Sequence, residues 1–395
     1  MKINGLKVIR EGSGLETIEE AWSEKPTFVF LPRKSRVSDD WLNDQLSQVP
    51  ESHANDRFGL LTSGSTGEPK IILSLKSRAE KLSLVLHDLQ DSANVQSTII
   101  SLPLSYSFAF VNQWTWAKVT GRKLVFSEGL KEPEDFLSKL ILHEDSMLCL
   151  VGAQVPMIIN NYGGMIFENV IRIHFAGGPF PQTHFDDIKS MFPNARVFNN
   201  FGCAEAMPRL TLREAHPGDA PNDVGMPITG VKLRISEKEE VEFISDYRAD
   251  GQISSGIFKE IDDSSWLPTG DLGRINSEGS LILSGRTNSV FKRYGEKISL
   301  MQILHLVNEI WDYDVAIYRE EDSSREPGYV LVLSPMPDRS AIRGILGEFR
   351  KRFPRTHWPL RIESCKNMPK LPNGKDDILA LRSISEKKIE WSQRI

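Results

Sequence analysis

Apolar, strand-like runs alternate with helical patterns through the first 200 residues, and this alternation constrains the fold more than any other feature of the chain. Thr98–Leu102, Lys123–Phe126, Met147–Val151, Ile171–Phe175 and Arg196–Phe198 read as short strands. Ser77–Gln90, Phe108–Val119, Glu134–His143 and Pro181–Met191 read as the helices between them, with Leu82, Val85, Leu86 and Leu89 on one helical face. Alternation of this kind predicts a mostly parallel sheet covered by helices. Ligands of such sheets gather at the C-terminal ends of the strands.

The pattern changes after about residue 205. Val231–Ile235, Val241–Ile244 and Gly251–Ile253 read as a meander, hence a small β subdomain, and Leu281–Ser284 as one more strand. Gly285-Arg286-Thr287-Asn288 is a turn without an apolar anchor, suited to an interdomain hinge. Beyond it Leu300–Ile310, Arg339–Phe353 and Asp376–Ile384 read as helices, and Asp314–Tyr318, Tyr329–Leu333 and Arg361–Glu363 as strands. The expected architecture is α/β. A large N-terminal domain (1–285) has mostly parallel sheets flanked by helices plus a small β subdomain, and a smaller, mobile α+β C-terminal domain spans 286–395.

Bulk properties exclude several classes. With 395 residues the chain exceeds what one hydrophobic core usually serves. A net charge of −5 gives no reason to expect a nucleic-acid partner or an anionic membrane surface. No apolar run is long enough to span a bilayer, and Met1–Lys7 has no signal-peptide core. Cys149, Cys203 and Cys365 lie far apart without metal-ligand spacing and read as reduced thiols of a cytoplasmic protein.

Between the apolar runs Phe58–Leu61 and Ile71–Leu73 lies Thr62-Ser63-Gly64-Ser65-Thr66-Gly67-Glu68-Pro69-Lys70. Gly64 and Gly67 let the backbone bend and present N–H groups, the hydroxyls of Thr62, Ser63, Ser65 and Thr66 add donors, and Lys70 adds a positive charge. The loop is suited to phosphate oxygens, although alone it also reads as a solvated hairpin turn. It is not a Walker A loop, because its lysine follows a proline and the chain continues extended.

Further motifs follow in order: Ala176-Gly177-Gly178-Pro179, Asn199-Asn200-Phe201-Gly202-Cys203-Ala204-Glu205, Gly225-Met226-Pro227, Thr269-Gly270-Asp271, Gly285-Arg286, Lys292 with Gly295, and Pro372-Asn373-Gly374-Lys375. Their order and spacing, from about residue 58 to 380, resemble the acyl-adenylate-forming superfamily of acyl- and aryl-CoA synthetases, peptide-synthetase adenylation domains and firefly luciferase. The resemblance implies ATP, Mg²⁺ and a small-molecule carboxylic acid as substrates. The acceptor would be a thiol, that of CoA or of phosphopantetheine on an acyl carrier protein.

The resemblance also implies roles. The loop from Thr62 to Lys70 would wrap the β- and γ-phosphates, with Thr66 counted among the catalytic residues. Gly177 and Gly178 would leave room for the base or the acid; Asn199, Asn200, Phe201 and Gly202 would line the nucleotide, with Phe201 stacking on adenine where relatives have tyrosine. Glu205 would hold Mg²⁺, a hard oxygen ligand for a hard cation. Asp271 would accept the ribose hydroxyls, Arg286 and Lys292 would lie near ribose or phosphate, and Asn288 would be the hinge. Lys375 would offset charge developing on the pentavalent phosphorus.

The departures are specific: Ala204 for a threonine, Asn288 for an aspartate, Lys297 for an arginine and Gln302 for a frequent glutamate. Few residues precede the phosphate loop, so an abbreviated N-terminal domain is expected, with one wall of the acid pocket altered.

The segment Leu102–Phe110 matches the family's pocket-opening helix. Ala109 stands where amino-acid-activating relatives place an aspartate for the α-ammonium, and a buried ammonium without a carboxylate is costly. Tyr106, Phe108, Ala109, Val151 and Gly178 are the pocket candidates. Phe110, Val111, Trp114 and Met157 would extend an apolar wall or belong to the helix core. An aryl or short acyl carboxylate is the expected substrate. The competing readings are a non-catalytic nucleotide-binding descendant of the same fold and an adenylation enzyme for an amino acid. A P-loop phosphotransferase lacks the required spacing.

Overall fold

The computed structural model describes residues 2–3, 5–33, 37–63, 69–371 and 376–393. The chain divides into two compact units, Met1–Thr269 with Gly273–Leu283, and Gly270–Leu272 with Ser284–Ile395.

The first unit is built on two seven-stranded sheets. One has Leu6–Arg10, Phe28–Leu31 and Arg57–Ser63 in parallel, followed by Pro69–Leu75, Gly251–Ser254 and Ile257–Glu260 antiparallel, with Lys2–Ile3 on the far edge. The other has five parallel strands in the order Arg196–Phe201, Val170–Phe175, Ser146–Leu150, Ser97–Ile100 and Lys123–Phe126. Thr211–Glu214 and Met226–Pro227 extend it antiparallel.

Strict alternation explains how both sheets are covered on both faces. Phe28, Phe30, Phe58, Leu60 and Ile72 of the first sheet, and Ile100 and Cys149 of the second, meet in one core around Ala79, Leu82 and Leu86 of the helix Lys76–Leu89. Their sequence neighbours Val29, Leu31, Ile71 and Leu73 turn to the opposite face, onto Leu42 and Leu46 of the helix Asp39–Ser47. Ile99, Leu148, Leu150, Ile173 and Val197 turn the other way in the second sheet. There they pack on Phe136, Leu140, Ile158, Tyr162, Phe185 and Ile188 of the helices Pro133–Leu142, Val155–Tyr162 and Phe185–Met191. Strands buried on both faces are rich in apolar residues, which is why this parallel sheet was legible.

Three expectations are corrected. The helix expected over Phe108–Val119 is broken: Ser107–Ala109 and Trp116–Thr120 are α-helical, and Phe110–Thr115 between them is a π-helix. Gly251–Ile253 does not complete a meander with Val231–Ile235 and Val241–Ile244. It pairs with Pro69–Leu75, whereas the smaller four-stranded sheet takes Val231–Ile235, Glu240–Ser245, Leu267–Ile275 and Leu281–Arg286 in that order. The turn expected at 285–288 begins later: Gly285 and Arg286 still belong to the strand Leu281–Arg286, and a 3₁₀ turn, Thr287–Ser289, follows it.

The second unit is α+β. Asp314–Glu321 lies antiparallel to Pro327–Ser334, which is parallel to Arg361–Ser364, which is antiparallel to Lys388–Ser392. Tyr329, Leu331 and Leu333 face Ile303, Ile345 and Phe349 of the helices Leu300–Asn308 and Arg339–Arg352. Val330 and Val332 face Leu381 of Ile378–Ser383. The hairpin Val290–Arg293 with Glu296–Ser299 precedes this sheet. Among the described residues no helix is long and apolar enough to cross a membrane.

Candidate active site

The C-terminal ends of adjacent parallel strands bring several sequence candidates of the first unit together. Asn199, Asn200 and Phe201 end the strand Arg196–Phe201. Gly177 and Gly178 follow its neighbour Val170–Phe175, and Val151 follows Ser146–Leu150. Asn200 Nδ2 donates to the Phe175 carbonyl at 3.1 Å, and Ala176 N–H to the Leu150 carbonyl at 3.2 Å. Asn199 Nδ2 donates to the Asp223 carbonyl at 3.0 Å. The two asparagines are therefore buried and committed to positioning neighbouring strand ends, while Gly177 and Gly178 are exposed. Gly177 has φ +81°, which a side chain would strain. At Gly202 a Cβ would overlap the Pro208 carbonyl oxygen and stand 2.9 Å from Arg209 N, so this close backbone return requires glycine.

That return places Glu205 on the 3₁₀ turn Ala204–Ala206, whose Glu205 carbonyl accepts from Ala249 N–H at 2.9 Å. The Glu205 side chain is half-buried, and no ion pair engages it among the described residues. Phe201 is buried, and Cys203 packs half-buried against the core that holds Cys149. Burial pushes the Cys149 thiol up to about 12, with Arg209 opposing.

Thr62 pairs with Lys70 and Ser63 with Pro69 across the hairpin of Arg57–Ser63 and Pro69–Leu75. Gly64, Ser65, Thr66 and Gly67 lie outside the described residues, as does Lys375 in the second unit. Beside Lys375 in sequence, Lys370 Nζ bonds Asp314 Oδ1 at 2.7 Å and Asp376 Oδ1 at 2.8 Å.

The segment from Leu104 to Asn112 is held at both ends, by Glu11 and by Arg209. Glu11 accepts from Leu104 N–H at 2.5 Å and from Ser105 Oγ at 3.2 Å. Burial, with Glu11 adding to it, pushes the Tyr106 phenol up to about 12. Tyr106 and Phe108 are half-buried, but Ala109 is fully enclosed. Phe110, Val111 and Trp114 are equally enclosed. Phe110 stacks on Phe58 at 5.2 Å and on Trp114 at 4.8 Å, so these three side chains are core rather than an apolar pocket wall. Met157 is half-exposed on Val155–Tyr162.

Arg209 joins the 104–112 segment to Asn200 and was missed by sequence reasoning. It donates to Asn200 Oδ1 and, at 2.9 Å, to Asn112 Oδ1, and it lies over the Phe108 ring at 5.9 Å. Its signal in the sequence is a lone charge inside Ala206-Met207-Pro208-Arg209-Leu210, an otherwise uncharged stretch entering a strand.

In the second unit Arg286 and Asp271, both nucleotide candidates, pair with each other, Nε to Oδ1 at 3.0 Å and Nη2 to Oδ2 at 3.4 Å. Lys292 is exposed on the hairpin strand Val290–Arg293, and Asn288 lies in the turn Thr287–Ser289. Among the described residues no group of three or more His, Cys, Asp or Glu is placed to hold a metal ion.

The parallel sheet, its glycine-bearing strand ends and the Asn199–Glu205 turn coincide with a family match: residues 9–254 match the AMP-binding enzyme family. The chain belongs to that family. A non-ribosomal peptide synthetase, CmlP, of Streptomyces venezuelae is 21% identical over 83% of this chain and 34% of its own length. A medium-chain-fatty-acid–CoA ligase of Ectopseudomonas oleovorans is 26% identical over 72% of this chain and 57% of its own. The chain thus spans between about a third and just over half of these curated relatives. The structure of ATP-bound MatB from Rhodopseudomonas palustris superposes with a TM-score of 0.79 at 15% identity, covering 97% of this chain and 89% of that one. The fold is that of the adenylate-forming enzymes.

Proposed function

We propose that this chain is an acid–thiol ligase, forming AMP in two half-reactions. In the first, an oxygen of the carboxylate attacks the α-phosphorus of ATP, giving acyl-AMP and pyrophosphate. In the second, a thiol attacks the acyl carbon, a thioester forms, AMP leaves and the thiol proton is released. The observation that carries this reading is the ordered motif set in a chain of the AMP-binding enzyme family, with Gly177–Gly178 and Asn199–Gly202 at adjacent parallel strand ends. The names of the curated relatives, one a fatty-acid–CoA ligase and one a peptide synthetase, support it.

In this reading Thr62, Ser63, Gly64, Ser65, Thr66, Gly67 and Lys70 grip the β- and γ-phosphates, and Phe201 offers a ring face to the base. Asp271, held by Arg286, accepts from the ribose hydroxyls. Glu205 fits a hard cation, since its carboxylate is half-buried and engaged by no described cation; it would hold Mg²⁺ together with the phosphate oxygens of ATP. The ion supplies charge neutralisation at the phosphates when bound. Lys375 stabilises the transition state of the first half-reaction, and 286–395 moves about Asn288 as a mobile domain between the half-reactions. The acceptor is CoA or a carrier-protein phosphopantetheine, and no α-ammonium is expected on the acid, because Ala109 offers it no carboxylate. The location would be cytoplasmic.

Acid-dependent exchange between pyrophosphate and ATP, over a panel of aryl, short acyl and amino acids, tests the first half-reaction. Exchange with a carboxylic acid lacking an ammonium supports the proposal. Binding of ATP without exchange for any acid would favour a non-catalytic nucleotide-binding protein.

A further inference from the structure

Among the described residues, Arg209 differs from the other buried arginines in having no counter-ion. Arg172, Arg248 and Arg293 are equally enclosed, and each has a carboxylate within reach: Asp91 at 3.6 Å, Asp263 at 3.6 Å and Asp322 at 3.3 Å. Arg209 is 1% exposed and, among the described residues, bonds the two neutral amide oxygens of Asn200 and Asn112 and lies over the Phe108 ring. Burial pushes its pKa down to about 9, with Cys149 opposing, so it remains a cation at neutral pH. A desolvated guanidinium is strongly unfavourable without an anion, and a planar fork of five N–H donors matches a carboxylate.

A second buried group, close enough to feel the Arg209 charge, has unmet hydrogen-bonding capacity. His174 faces Cys149 on one neighbouring strand and Phe198 on the other, and stacks on the Phe198 ring at 4.9 Å. It is 1% exposed, and neither ring nitrogen has a partner among the described residues. Burial first, then the charges of Arg209 and Arg172, hold its pKa well below the usual value. A neutral imidazole keeps one N–H donor, left unmet here. The position of the pair matters. Arg209 bridges the segment bearing Tyr106 and Phe108 and the strand end bearing Asn200, on the side of the sheet where an acid would lie.

We propose that Arg209 reads the acid: the substrate is a dicarboxylic acid, whose far carboxylate pairs with the Arg209 guanidinium while its near carboxylate is adenylated. This rests on the adenylation reading above. Arg209 is a specificity residue that touches substrate remote from the reacting atoms.

The test is ATP–pyrophosphate exchange with matched pairs, each diacid (succinic, glutaric and isophthalic) against its own monoamide, which has the same shape without the second charge. The wild type prefers the diacid of at least one pair by about tenfold or more in kcat/KM. Arg209→Met removes that preference, mainly through KM for the diacid, and Arg209→Lys retains part of it. Without ATP, the preferred diacid raises the Tm of the wild type, and Arg209→Met abolishes that rise. A wild type that turns over monoamides or monocarboxylic acids as well as any diacid overturns the inference while leaving adenylation standing. So does an unchanged ratio in Arg209→Met. Absence of exchange with every acid overturns the adenylation reading and this inference with it. Should Arg209→Met fail to fold, the wild-type ratios and Arg209→Lys decide.

Discussion

Arg209 and Ala109 show how differently single positions carry information. Ala109 was read against relatives as a pocket position, yet it is fully enclosed beside Phe110 and Trp114. A larger side chain there has no free space, so Ala109→Asp is expected to destabilise the first unit by about 1–3 kcal/mol, read as a fall in urea midpoint. A wild-type midpoint would show that the site opens to solvent. Gly202 makes a sharper demand, because its missing Cβ is what lets the chain return to Pro208. Gly202→Ala is expected to cost about 2 kcal/mol or more and to displace Glu205, seen as lower stability with a raised Mg²⁺ requirement in exchange. The thiols give a chemical check. With Cys149 pushed up to about 12, roughly one part in ten thousand is thiolate at pH 8. Mass spectrometry after iodoacetamide treatment of the native protein should find Cys149 unmodified, and modified only once the protein is unfolded.

At the scale of elements, legibility followed burial. Val170–Phe175 and Ser146–Leu150 are buried along their whole length and were legible as strands, although Arg172 and His174 interrupt the apolar residues of the first. The hairpin of Val290–Arg293 with Glu296–Ser299 went unread, because it is short and rich in Lys, Arg and Glu. Gly251–Ser254 was read as a strand but given the wrong neighbours; alternation fixes which face is buried, not which strand lies beside it. The π-helix Phe110–Thr115 has no periodicity distinct from an α-helix over six residues. Its anchors are tertiary: Gln113 Nε2 donates to Thr98 Oγ1 and to the Ile99 carbonyl, both at 2.8 Å, and Ser83 Oγ donates to the Val111 carbonyl at 3.1 Å. In the second unit, Asp338 caps Arg339–Arg352 by accepting from Ala341 N–H at 2.7 Å, and Arg350, Lys351 and Arg352 complement the other end. Asp338→Ala is expected to cost about 1 kcal/mol, measurable as a lower denaturation midpoint, and Asp338→Ser to recover most of it. Equal stability of all three would mean the cap contributes nothing.

For the whole molecule, the motif order was legible because glycines and charged residues punctuate apolar runs at fixed places. The anchoring of the pocket segment was not, because Glu11 meets Leu104, and Arg209 meets Asn112, across long sequence separations. In the proposed cycle Lys375 serves only the first half-reaction. Lys375→Ala should slow acyl-AMP formation about a hundred- to a thousandfold, while thioester formation from supplied acyl-AMP proceeds. Equal loss in both half-reactions would remove its assigned role. The central claim is that this chain joins a carboxylic acid to AMP, and exchange of labelled pyrophosphate into ATP reads that step directly. The account predicts exchange that requires both Mg²⁺ and an acid, is greatest with an acid lacking an α-ammonium, and falls in Lys375→Ala. A chain that binds ATP but exchanges no pyrophosphate with any carboxylic acid would contradict it.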